Sequence, residues 1–187
     1  MECVWVVFIN ALFEVQLLYG VQVHAFVLMP NHFHLLVTTP GEDLGIVMQR
    51  LIKSVTRTLN LLSGRSGRVF GARYHWTLVD SANYFACALK YVYRNPIRAN
   101  ICTRVEEYPY STLSGLTGDA TLPIQIHFPF GESGYWIVPE EITAQLEWLN
   151  RPFRKEYEEA IQKGLKKARF APPMSKNSPV ELKRDLI

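Results

Sequence analysis

The chain has 187 residues, 48% of them hydrophobic and 20% charged, with a formal net charge of +3. That is the make-up of a globular domain with an appendage, and it excludes a low-complexity or disordered chain. The slight excess of Lys and Arg is compatible with a nucleic-acid partner without requiring one.

Val4 to Tyr19 reads as a helix, with Phe8, Leu12, Val15 and Tyr19 at helical spacing and Gly20 to end it. Glu2 and Glu14 interrupt this apolar stretch and it lacks a basic start, so it does not read as a signal peptide. No apolar run reaches the ~18 residues that a membrane span needs. Val21 to Met29 reads as a strand, Pro30-Asn31 as a turn and His32 to Thr38 as a second strand, together a hairpin.

Asp43 to Asn60 reads as an amphipathic helix capped by Asp43, with Leu44, Val47, Met48, Leu51, Val55 and Leu59 as its apolar stripe. Arg50, Lys53 and Arg57 share another face, which serves equally as a solvated surface or as a contact for phosphates. Ser63 to Gly71, with Arg65 and Arg68, reads as a flexible basic loop. Arg73 to Val79 is rich in aromatic and β-forming residues and reads as a strand. Ser81 caps a helix over Ala82 to Arg94, which Asn95-Pro96 should close.

Tyr108-Pro-Tyr-Ser111 is a tight aromatic turn, and Thr117 to Pro139 reads as a linker or irregular packing. Glu140 to Asn150 and Phe153 to Arg169 read as two helices, the second with a basic end at Lys163, Lys166, Lys167 and Arg169. Pro172 to Ile187 reads as a mobile tail. Cys3, Cys87 and Cys102 show no metal spacing and fit a reducing, cytoplasmic compartment.

The most informative chemistry is His32-Phe33-His34. In a strand the two imidazoles share one face while Phe33 enters the opposite layer, which makes half of a metal site or a solvated histidine pair. Tyr91 and Asn95 lie one helical turn apart, so they share a helix face. A tyrosine beside a divalent cation is a competent nucleophile toward phosphorus, and an asparagine carbonyl is a hard oxygen ligand. Tyrosine packed in a core and asparagine as a helix terminator are the structural alternatives. The zinc-protease, phosphate-loop and serine-hydrolase patterns are all missing from the sequence, and His75 and His127 stand alone.

His24-Ala-Phe-Val-Leu-Met-Pro-Asn-His-Phe-His-Leu-Leu-Val37 resembles the histidine-hydrophobic-histidine block of the single-tyrosine HUH transposases. The resemblance is closest to their REP-associated branch, which is related to the small insertion-sequence transposases. Val69-Phe-Gly-Ala-Arg-Tyr74, Tyr91-Val-Tyr-Arg-Asn-Pro-Ile-Arg-Ala99 and Tyr108-Pro-Tyr-Ser111 are similar to further family blocks, in the family's order. The resemblance, which covers roughly 8–115, implies an α/β, ferredoxin-like sandwich with a central antiparallel sheet for a domain over 1–116; the linker, two helices and tail over 117–187 are read from the residues alone. It implies His32, His34 and Asn95 as ligands of Mg²⁺ or Mn²⁺, and Tyr91 as the nucleophile. The activity implied is cutting and rejoining of single-stranded DNA beside a hairpin through a 5′-phosphotyrosine. Monomer and homodimer both remain open. Arg50, Lys53, Arg57, Arg65, Arg68 and Arg73 are contacts expected from charge alone. The family places a strand ahead of the first helix, inside the sheet next to the histidine strand. Residues 1–7 do not resemble it, so unpaired sheet backbone is expected there. A catalytically decayed single-stranded nucleic-acid-binding protein is the alternative reading.

Overall fold

The computed structural model describes residues 1–127 and 138–170. Their order is α1 (Glu2–Tyr19), β1 (Gln22–Leu28), β2 (Phe33–Thr38), α2 (Leu44–Ser63), α3 (Ala82–Arg98), a 3-10 turn (Val105–Glu107), α4 (Leu113–Thr117), α5 (Ile142–Asn150) and α6 (Lys155–Gly164). The class is mixed α and β, with six α-helices and one two-stranded antiparallel sheet among the described residues. The chain divides into two units. One is Met1–Arg73 with the described part of Pro109–Phe128; the other is Tyr74–Tyr108 with the described part of Pro129–Ile187. The boundary expected at 116/117 falls inside the first unit, because the segment after Tyr108 returns to the hairpin.

In the first unit, α1 ends at Gly20, which takes the left-handed conformation (φ 63°) and donates its N–H to Gln16 O at 3.0 Å. By length and composition α1 could cross a membrane, contrary to the expectation from its apolar runs. In this unit it instead packs on α2 and β1, burying Val7, Phe8, Ala11, Leu12 and Val15. β1 and β2 form the expected hairpin, closed by Met29 N–H donating to His32 O at 2.8 Å. Phe8 of α1 packs on Phe26 and Phe33, with ring centroids 5.4 and 5.1 Å away. Phe33 therefore faces α1, and strand alternation turns His34 to the other face. Asp43 caps α2 through Gly45 N–H, and Val47, Met48, Leu51 and Val55 are buried.

β1 is an interior strand although it has only one regular partner. Along its second edge Leu28 N–H donates to Tyr110 O at 2.9 Å, Thr112 N–H to Phe26 O at 2.9 Å, and His127 N–H to Val23 O at 2.8 Å. Phe26 N–H donates to Thr112 Oγ1 at 2.9 Å. Backbone groups of β1 left over by β2 are thus met by the turn after Tyr108 and by residues 126–127. His24 is the extra residue of a bulge, since Val23 pairs with Val37 and Ala25 with Leu36. Its Nδ1 donates to His127 O at 2.5 Å and its Nε2 accepts from Thr38 Oγ1 at 2.8 Å. Burial holds this imidazole below the usual histidine pKa.

In the second unit, Ser81 Oγ accepts from Tyr84 N–H at 3.2 Å and starts α3 as expected. The helix does not close at Arg94; it runs on to Arg98 with Pro96 inside it. Pro96 has no N–H to offer the Val92 carbonyl. The Asn95 side chain supplies donors instead, with Nδ2 2.8 Å from Tyr91 O and 3.4 Å from Val92 O. Three further expectations are corrected. Arg73 to Val79 is not a strand: Leu78 alone forms a bridge, to Arg169, with Leu78 N–H on Ala168 O at 2.9 Å and Phe170 N–H on Leu78 O at 2.8 Å. β-propensity needs a neighbouring strand to act on, and among the described residues none pairs there beyond that bridge. The helix expected over Phe153 to Arg169 spans only Lys155–Gly164, and its preceding helix starts at Ile142, capped by Glu141. Arg169, expected in a basic helix end, lies beyond the helix and pairs with Asp80 at 2.8 Å. The tail from Pro172 and part of the expected linker, 128–137, lie outside the described residues.

Candidate metal centre and tyrosine helix

His32 is the last residue before β2 and His34 its second, and both are carried by a hairpin in which His34 pairs with Val27 and Phe33 with Leu28. The two Nε2 atoms converge to 3.0 Å, with ring planes at 83°. The two nitrogens are close enough for one cation to be bound by both, and equally for one ring to donate a hydrogen bond to the other. Asn31 Oδ1 lies 2.6 Å from His32 Nδ1. An amide oxygen only accepts, so Nδ1 carries the proton and Nε2 presents its lone pair. Without a cation, the 3.0 Å contact is satisfied by His34 Nε2–H donating to His32 Nε2. His32 is exposed and His34 half-buried, so the pair is open to a ligand from solvent. Among the described residues, no cluster of three or more His, Cys, Asp or Glu side chains forms.

Tyr91 and Asn95 lie on α3 in the second unit. Tyr91 is half-buried and Asn95 buried. The Arg98 guanidinium lies over the Tyr91 ring, 4.7 Å from its centroid, and Arg98 Nη1 donates to Asn95 Oδ1 at 3.4 Å. Asn95 is thus engaged at both ends of its amide, with Nδ2 on its own helix and Oδ1 toward Arg98.

Spacing also hides a second pattern on α3. Lys90, Arg94 and Arg98 recur one turn apart, and all three face α5, α6 and the turn between them. Lys90 Nζ sits 5.0 Å from each of the Trp148 and Phe153 ring centroids. Arg94 Nη1 donates to Leu149 O at 2.9 Å and Asn150 O at 2.7 Å, carbonyls left without intrahelical partners at the end of α5. Arg98 Nε lies 2.6 Å from Glu158 Oε1 on α6. Burial, with Arg94 and Arg151 nearby, pushes the Lys90 amine down to about 8. Sequence reasoning missed these residues, as it missed Asn31. The available signals were their regular four-residue recurrence and the position of Asn31 directly before the histidine.

The six expected DNA-contact residues all lie in the first unit. Lys53, Arg57, Arg65, Arg68 and Arg73 are exposed. Arg50 is exposed but paired with Glu14 of α1, through Nε at 3.0 Å and also through Nη2, so its first role is to join two helices. The loop that carries Arg65 is anchored by Asn60 Nδ2 donating to Gly67 O at 2.8 Å. Comparison with protein-family models, curated proteins and solved structures finds no match to this chain, so its functional reading rests on these residues.

Proposed function

We propose that the protein is a divalent-metal-dependent strand transferase acting on single-stranded DNA near a hairpin. The observation that carries this reading is the His32–His34 pair, with Nε2 atoms 3.0 Å apart and the His32 tautomer set by Asn31. The basic residues of α2 and its following loop support a polyanionic partner. The α1–β1–β2–α2 order, with α1 packed on the hairpin and on α2, supports a ferredoxin-like sandwich as the finer fold.

His32 and His34 would hold Mg²⁺ or Mn²⁺; Asn95 joins the ligand set through the family resemblance alone. When bound, the ion neutralises charge on the phosphoryl oxygens. The Tyr91 hydroxyl supplies the attacking oxygen and gives its proton to solvent. The P–O3′ bond breaks, the 3′ oxygen leaves with the electron pair and takes a proton, and the 5′-phosphate stays on Tyr91. Attack by a 3′-hydroxyl reverses the step and reseals the strand.

Covalent capture tests this. The protein is mixed with labelled single-stranded hairpin DNA and Mg²⁺ or Mn²⁺, then run on a denaturing gel beside Tyr91→Phe and a His32→Ala, His34→Ala double variant. An adduct lost in both variants is the expected result. DNA binding with neither adduct nor cleavage would instead favour a non-catalytic nucleic-acid-binding protein, a reading supported by the engagement of Asn95 with its own helix. Cleavage that persists in Tyr91→Phe would identify a hydrolytic nuclease.

A further inference from the structure

We propose that Arg98 is a positioning residue for the Tyr91 ring, and that α6 acts on the tyrosine through it by way of Glu158. The inference rests on the strand-transfer reading and assigns part of the C-terminal half a role in it. Arg98 makes three contacts at once: its guanidinium lies 4.7 Å from the Tyr91 ring centroid, Nε is 2.6 Å from Glu158 Oε1, and Nη1 is 3.4 Å from Asn95 Oδ1. A planar fork can stack on a ring and bind a carboxylate at its edge simultaneously, which an ammonium group cannot do.

The need for such a contact follows from where Tyr91 sits. It is half-buried, next to the buried run Ala86–Lys90, and the Arg98 guanidinium lies over its ring. A phenol on a helix surface samples several staggered orientations, and a displacement of about 1 Å from the attack geometry can lower a rate about 100-fold. Arg98 is itself well enclosed, with its side chain 20% exposed and that of Glu158 27% exposed. The carboxylate holds the guanidinium, and the guanidinium holds the ring.

A purely structural Arg98–Glu158 staple between α3 and α6 would act differently. It would change how much protein folds without changing the rate of the folded protein. The test therefore uses Arg98→Lys, Arg98→Gln and Glu158→Gln, each checked for thermal midpoint and for hairpin-DNA affinity. Single-turnover adduct formation is then measured on the folded fraction. Arg98→Lys should keep DNA affinity within about twofold and slow adduct formation about tenfold, as expected when a reacting group is less well positioned. Glu158→Gln should slow it less, about threefold, because the stacking remains. In parallel, 3-fluorotyrosine placed at position 91 gives a fluorine resonance that reports ring environment and flipping without any reaction. Arg98→Gln should shift and narrow that line. Unchanged adduct rates in the Arg98 variants, or an unchanged fluorine line, would overturn the inference. If the wild-type protein forms no adduct, the strand-transfer reading fails, and the positioning role in catalysis fails with it. The fluorine line then still decides whether Arg98 orders the ring.

Discussion

Raising the pH from 7 to 9 should stabilise the protein, and Lys90 is the reason. The residue is 1% exposed, its amine lies between Trp148 and Phe153, and burial brings its pKa down from the usual 10.5 to about 8. Between those values the unfolded chain holds a proton that the folded chain has released. Stability therefore rises with pH across that window and is lost as pH falls through the folded value. Integrated from pH 7 to 9, the gain is at most about 1.3 kcal/mol. The rise should not continue. The buried Cys87 thiol is pushed up from 9.0 to about 12, so above pH 9 the folded chain retains a proton the unfolded chain loses, with a slope of opposite sign. Urea unfolding followed by tryptophan fluorescence at pH 7, 8 and 9 measures the gain, with Lys90→Met as the comparison. Lys90→Met should abolish the rise. A wild-type profile that is flat between pH 7 and 9, or a Lys90→Met variant with the same rise, would refute the argument.

Three other perturbations follow from the same interactions. His24 is buried neutral, with its pKa held down by desolvation; stability should fall as the pH drops below about 6.5, more steeply in wild type than in His24→Gln, as read by unfolding at pH 7 and 5. Asn95→Leu should cost about 1–2 kcal/mol by removing the donor to the Val92 carbonyl. Adding Pro96→Ala should recover part of that cost by restoring a backbone N–H, and strictly additive urea midpoints would refute the link. Hairpin-DNA affinity should fall steeply with salt, and a Lys53→Ala, Arg57→Ala, Arg65→Ala, Arg68→Ala variant should flatten the log–log slope by up to about 3–4 units, one for each phosphate no longer neutralised. An unchanged slope would remove these residues from the interface.

Much of the first unit was legible from the sequence. The hairpin, the helix on either side of it, the Asp43 cap and the facing of Phe33 against the histidines all follow from local periodicity and turn chemistry. What local rules could not show were pairings between distant residues. His127 completing the edge of β1 is one, and residues 168–170 meeting Leu78 in place of a sheet strand is another. Pro96 misled for a different reason: a proline normally disfavours helix before it, but Asn95 supplied the missing donor from its side chain. At the candidate site, His32, His34 and Tyr91 were visible as residue types that carry chemistry. Arg98 was not, because its importance lies in what it overlies.

The way β1 is closed has a consequence for synthesis. His24 donates to a carbonyl 103 residues further along the chain. At about 5–20 residues per second, a ribosome reaches that residue about 5–20 s after it has made the strand. During this interval the hairpin has a half-finished edge, and α1 has apolar side chains waiting for a complete layer. Such a nascent chain is a substrate for chaperones that hold hydrophobic segments. It also means that the first unit is completed only after the whole tyrosine helix has been made. Pulsed proteolysis of stalled chains would place that completion after residue 127, so the histidine pair acquires its finished scaffold late in translation.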